Sequence, residues 1–184
     1  MFNIFKKKEK VVIDKLALFR IEECIDTSQT PEKYLIYKDE IVLPLIDALR
    51  KICILEENCI KQNEILEENK RKQGIPKHQV ADGWKEMIEQ YQVDYAAVVE
   101  PICTDKLLKR GFARSYGKPA EYDYVNTGCK IYFIMKSAKK AVVETHFHHG
   151  IETKHQFVFK NVEGKWLIDE KKYGHGDDWH AYSI

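Results

Sequence analysis

At Lys130 the apolar residues of this chain change their spacing. Before it, Leu35, Val42, Leu45, Leu49, Ile52 and Ile60 follow a helical period. After it, apolar residues fall at every second position in four runs: KIYFIMK (130–136), AVVETHFH (141–148), KHQFVFK (154–160) and KWLIDEKKY (165–173). A helix repeats about every 3.6 residues and a strand every 2, so the change marks a boundary between two kinds of structure. Lys139, His149-Gly150 and Glu163-Gly164 separate the runs, as hairpin turns require. Helices first and consecutive antiparallel strands afterwards imply an α+β fold, with the helices packed on one face of the sheet.

The helical half is punctuated clearly. Thr30-Pro31-Glu32 reads as a helix start, with Thr30 capping free N–H groups, proline at the first position and an acid at the positive end of the dipole. Pro44 should kink the helix. From Glu56 to Lys72 the chain turns polar, as the solvated end of that helix or its frayed continuation, until Gly74-Ile75-Pro76 stops it. A second helix is expected over about Val80 to Val99. A third, short one should start at Thr104 or Asp105 and end at Gly111. The aromatic, turn-rich GFARSYGKPAEYDYVNTG is expected to be an ordered loop. Residues 1–30 read as an N-terminal helical extension and residues 31–184 as one domain, since 184 residues suffice for one core.

Composition excludes several classes. With 44% hydrophobic and 32% charged residues, the chain is neither a disordered tail nor a membrane protein. A net charge of +1 creates no field for nucleic acid or anionic lipid, so neither is an expected partner. The opening MFNIFKKKEKVV places its apolar tip before the lysines, the reverse of a signal peptide. The five cysteines, Cys24, Cys53, Cys59, Cys103 and Cys129, are odd in number and never spaced C-x-x-C. Reduced thiols in a cytoplasm are the simplest expectation.

Two motifs carry a resemblance. The last long strand contains Gly164-x-Trp166-x-Ile168. Upstream stand Cys103-Thr104 and Gly117-x-Pro119-x-Glu121-Tyr122-Asp123. Together they resemble the immunity proteins of bacterial polymorphic toxin systems, the Rhs-associated group, which are built on the nuclear-transport-factor-2-like (NTF2-like) cone. The resemblance covers roughly residues 100–173. It implies helices on a curved antiparallel sheet, no catalytic set, no cofactor, and one cognate toxin domain as partner. It leaves the oligomeric state open. The alternative from another class is a small-molecule enzyme or ligand-binding cone protein of the isomerase or dehydratase type.

The densest cluster of reactive side chains is ETHFHHGIETKH (144–155), with His146, His148, His149 and His155. Alternation puts His155 with Phe157 and Phe159 on the core face, and His146 and His148 on the other, which splits the imidazoles and disfavours a metal site. Cys103 and Cys129 lie in no nucleophile signature. Asp94, Tyr116, Tyr122, Asp123 and His146 are available for acid–base chemistry, but their spacing selects no pair. Trp84, Trp166 and Ile168 are expected in the core. Interfaces concentrate energy in aromatic anchors amid polar groups, and two segments offer that mixture. One is the hairpin, His146, His148, His149 and Glu152; the other is the tail, Asp177, Asp178, Trp179, His180 and Tyr182. The two acids suit a basic toxin. The competing reading is a tail that merely folds back over the sheet.

Overall fold

The computed structural model describes residues 25–112 and 114–184. The chain begins there with a short strand β1 (Ile25–Asp26), a 3₁₀ turn (Glu32–Tyr37) and a long helix α1 (Lys38–Lys72). Two helices follow, α2 (Trp84–Val99) and α3 (Asp105–Leu108), then the single turn α4 (Tyr124–Thr127). Strands β2 (Lys130–Ser137), β3 (Lys140–His149), β4 (Ile151–Val162), β5 (Lys165–Gly174) and β6 (His180–Tyr182) complete the chain. The sheet is open and six-stranded, in the order β1-β2-β3-β4-β5-β6. It is α+β, as expected, but mixed: β1 joins β2 in parallel, with Ile25 against Ile131.

Residues 25–30 therefore differ from the helical extension expected over 1–30; residues 1–24 of that expectation lie outside the described residues. Thr30 does not cap a helix. Its hydroxyl donates to the Phe133 carbonyl (2.6 Å) and accepts from the Met135 N–H (3.0 Å), fastening the entry segment to β2. A local N–H cannot compete with two strand groups that burial leaves in need of partners.

In α1, Ile41, Val42, Leu45, Ile46, Leu49, Ile52, Cys53 and Glu56 form one buried stripe at steps of three and four. The helix continues through Pro44, and the polar stretch after Glu56 is helix as far as Lys72. At 35 residues it spans about 52 Å. Its last turns lie beyond the core, where burial falls away except at Lys70. Gly74, with φ 71°, takes the left-handed conformation that ends it. Helix α2 starts at Trp84, four residues later than Val80, and Trp84 is 36% exposed. Trp84 is thus not a core residue: it begins the helix on the face that Met87, Tyr91 and Tyr95 bury, but at the end where the core has run out.

The inner face of the sheet supplies Ile131, Phe133, Ala141, Val143, Phe147, Phe157, Phe159, Trp166 and Ile168 to a single core shared with α1 and α2. One bulge decides what else lies there. Phe159 pairs with Ile168, but Val158 pairs with Glu170, which leaves Asp169 as an extra residue on β5. Past the bulge the alternation inverts, so Lys171, and not Glu170 or Lys172, faces the core.

Candidate functional site

The centre of the molecule is a polar network inside an apolar shell. Glu56, 1% exposed on the α1 stripe, accepts the backbone N–H groups of Gly117 (2.9 Å) and Glu121 (2.6 Å). Burial raises its carboxyl above the usual range despite those two bonds. A Cβ on Gly117 would lie 2.8 Å from the Pro119 carbonyl, so only glycine lets the loop close on Glu56. Lys171, fully buried, donates to Glu121 Oε1 and to the Tyr122 hydroxyl, each at 2.5 Å. Burial lowers its ammonium below the ordinary lysine range, while Glu121 opposes that shift. The ammonium also stands 4.6 Å from the ring centres of Tyr122 and Tyr182.

The other half of the upstream motif is also architectural. Cys103 forms a bridge with Ile168, and the Thr104 N–H donates to the Ile168 carbonyl (2.9 Å). Thr104 caps α3 by accepting the Leu107 N–H and donates its hydroxyl to Asp169 Oδ1 (3.2 Å). Asp169 is buried, which would raise its carboxyl, but hydrogen bonds from Lys160 (2.7 Å) and Lys106 (2.9 Å) outweigh that and hold it low. Burial pushes the thiols of Cys53 and Cys103 up to about 12, so neither supplies a thiolate near neutral pH.

Beside this network opens a cavity of about 550 Å³. Glu56, Phe147 and His155 form its buried wall, Arg114, Lys118 and His149 its rim, and Tyr182, Ser183 and Ile184 its remaining side. His155 is 6% exposed and faces the core, as the alternation predicted. Its Nδ1 meets the Tyr124 hydroxyl (3.0 Å), which in turn accepts from Thr145 (3.1 Å). The rings of Tyr122, Tyr124, Phe147 and Phe157 surround the imidazole. Burial first, then the charges of Lys171 and His175, drives it down to about 2, so it is neutral at any physiological pH.

The hairpin histidines divide between the faces. His146 lies on the outer face with Nε2 3.1 Å from Glu144, its ring tilted on Tyr132 at 4.7 Å. His148, also outward, stands 3.3 Å from Glu152. His149 lines the cavity mouth with Thr153 and Tyr182. The tail folds back as β6, pairing His180 with Tyr173 and Tyr182 with Lys171. Asp177 and Asp178 are exposed in the turn between β5 and β6. Trp179 is half-buried, with the Lys154 ammonium 4.2 Å from its ring centre.

Lys154 joins the two candidate segments. It opposes His146 in register, donates to the Gly176 carbonyl and covers Trp179. His175 Nδ1 reaches the Glu152 carbonyl (3.2 Å), adding a second tie. His146, His148, Glu152 and Trp179 are thereby gathered around one end of β3 and β4, whereas His149 and Tyr182 border the cavity. The acid–base candidates are not gathered. Tyr116 borders the cavity, Tyr122 is buried behind it, and His146 is on the opposite face of the sheet. Asp94 bonds Gln90 (2.9 Å) at the surface. Sequence reasoning missed Glu56, although it continues the Leu45, Leu49, Ile52 stripe. It also missed Lys171, whose position depends on the bulge.

Comparisons with protein-family models, with curated proteins and with solved structures found no match.

Proposed function

We propose that this chain is an immunity protein of the NTF2-like cone class, which binds a cognate Rhs-type toxin domain in the cytoplasm and neutralises it stoichiometrically. The observation that carries this reading is the convergence of the hairpin and the tail at Lys154. Residues about 30 positions apart form one patch of imidazole, carboxylate and tryptophan, the composition that anchors protein interfaces. The central charges support it as well. Glu56, Glu121, Lys171 and Tyr122 bind one another and the loop, as a scaffold does. The cavity favours a second reading, a small-molecule cone protein.

Calorimetry separates the two. The reading calls for a large toxin protein encoded beside this chain, and the C-terminal domain of that protein is the titrant. The partners are wild type, His148→Ala/His149→Ala and Trp179→Ala, each with an unchanged melting curve. Wild type should bind, and a variant should lose about 2 kcal/mol, as a hot spot does. Wild-type affinity in both variants would move the interface to the helices. No binding by wild type would give the second reading first place.

A further inference from the structure

The cavity wall contains one unused hydrogen-bonding group. Glu56 has both oxygens engaged, and Glu121 is held by Lys171. His155 alone among the buried polar liners keeps a free position: Nε2 makes no hydrogen bond among the described residues. The chain of donors favours one tautomer. Thr145 donates to the Tyr124 hydroxyl, whose own proton then goes to Nδ1. A neutral imidazole that accepts at Nδ1 carries its proton at Nε2. Nε2 is not among the buried polar atoms left without a partner, so it opens on the cavity, where an incoming acceptor can take its proton in a hydrogen bond.

The surroundings set the shape of the acceptor. Tyr124 is stacked on Phe147 at 3.8 Å, and the rings of Phe147 and Tyr182 both line the cavity. About 550 Å³ lies within the range of about 300–1,000 Å³ typical of small-molecule sites. Arg114 and Lys118 stand at the rim, and Lys118 is already paired with Glu64 (2.9 Å). We propose that this cavity is a binding site for a small, flat organic molecule whose carbonyl or carboxylate oxygen accepts the Nε2–H of His155, with Phe147 and Tyr182 against its faces. The site stands independently of the toxin-binding reading.

Benzamide and benzoate test it, since they share a shape and differ in charge. The readout is the ¹⁵N resonances of the histidine rings in the full chain, with each probe titrated to tens of millimolar. The His155 Nε2 signal should move saturably with at least one probe, while those of His146 and His148, on the opposite face, stay still. His155→Phe should bind that probe about tenfold more weakly, the value of one hydrogen bond. Arg114→Gln then distinguishes the two chemistries. If it weakens benzoate alone, the natural ligand is a carboxylate; if it alters neither probe, the ligand is a neutral carbonyl compound. A His155 signal that never moves, or movement confined to His146 and His148, would overturn the site in the wild-type protein alone, whether or not the phenylalanine variant folds. Equal affinity in a folded His155→Phe would overturn it too.

Discussion

His155 shows how burial fixes the chemistry of a side chain. In water an imidazole titrates near pH 6.5, but here it is enclosed by four aromatic rings and faces the charge of Lys171. The folded protein therefore does not protonate it in mild acid, while the unfolded chain does. A base whose folded pKa is depressed loses stability as pH falls below its unfolded value, and here that window runs from 6.5 toward about 2. At pH 5 the loss from this one residue is about 2 kcal/mol. Urea unfolding of wild type and His155→Phe at pH 7 and pH 5 isolates it. The wild type should lose about 2 kcal/mol more than the variant between the two pH values. Equal losses would mean that His155 is protonated in the fold.

Among the elements, α2 and β5 carry two tryptophans with opposite duties. Trp166 is 7% exposed on the inner face of β5, edge-on to Tyr37 at 5.7 Å. Trp84 heads α2 at 36% exposure. Truncating a buried aromatic costs about 3–5 kcal/mol, whereas a surface change usually stays within about 0.5 kcal/mol. Trp166→Ala should thus lower the melting temperature by well over ten degrees or abolish folding, and Trp84→Ala should move it by a few degrees at most. Differential scanning calorimetry of the two variants checks this, and comparable shifts would contradict the assignment of β5 to the core. Sequence alone ranked these residues equally, because tryptophan is usually well buried and the start of α2 was placed four residues early. The four long strands and their turns were readable, since each turn is written in glycine or polar residues.

At the scale of the whole molecule, helices and sheet share one core. Side chains from α1, α2 and the inner faces of β2 to β5 form a single cluster, and Thr30 fastens the entry segment to β2. No part of that core is complete without the other. Unfolding of the described body should then be one cooperative transition. In a Trp84→Phe/Trp179→Phe background, far-UV circular dichroism, which follows α1, and tryptophan fluorescence, which then follows Trp166, should give the same urea midpoint. Separate midpoints would divide the molecule into units that fold on their own.

The α+β class, the order of the longer helices and of β2 to β5, the end of α1 at Gly74 and the inward face of His155 all rest on local spacing and were legible along the chain, whereas β1, α4 and β6 were not. Spacing operates within one element, where the period of the backbone dictates which side chains share a face. Three things were decided only in three dimensions. The bulge at Asp169 inverts the strand alternation and buries Lys171, which no count along the sequence reveals. Thr30 serves a strand about 100 residues away and not the helix beside it. Glu56 reads as the start of a solvated segment until the loop at Gly117 and Glu121 closes over it with two N–H groups. In each case a buried polar atom takes whichever partner the packed chain brings within reach, and that partner lies far off in sequence because hydrogen-bond satisfaction, unlike periodicity, is a condition on the whole core.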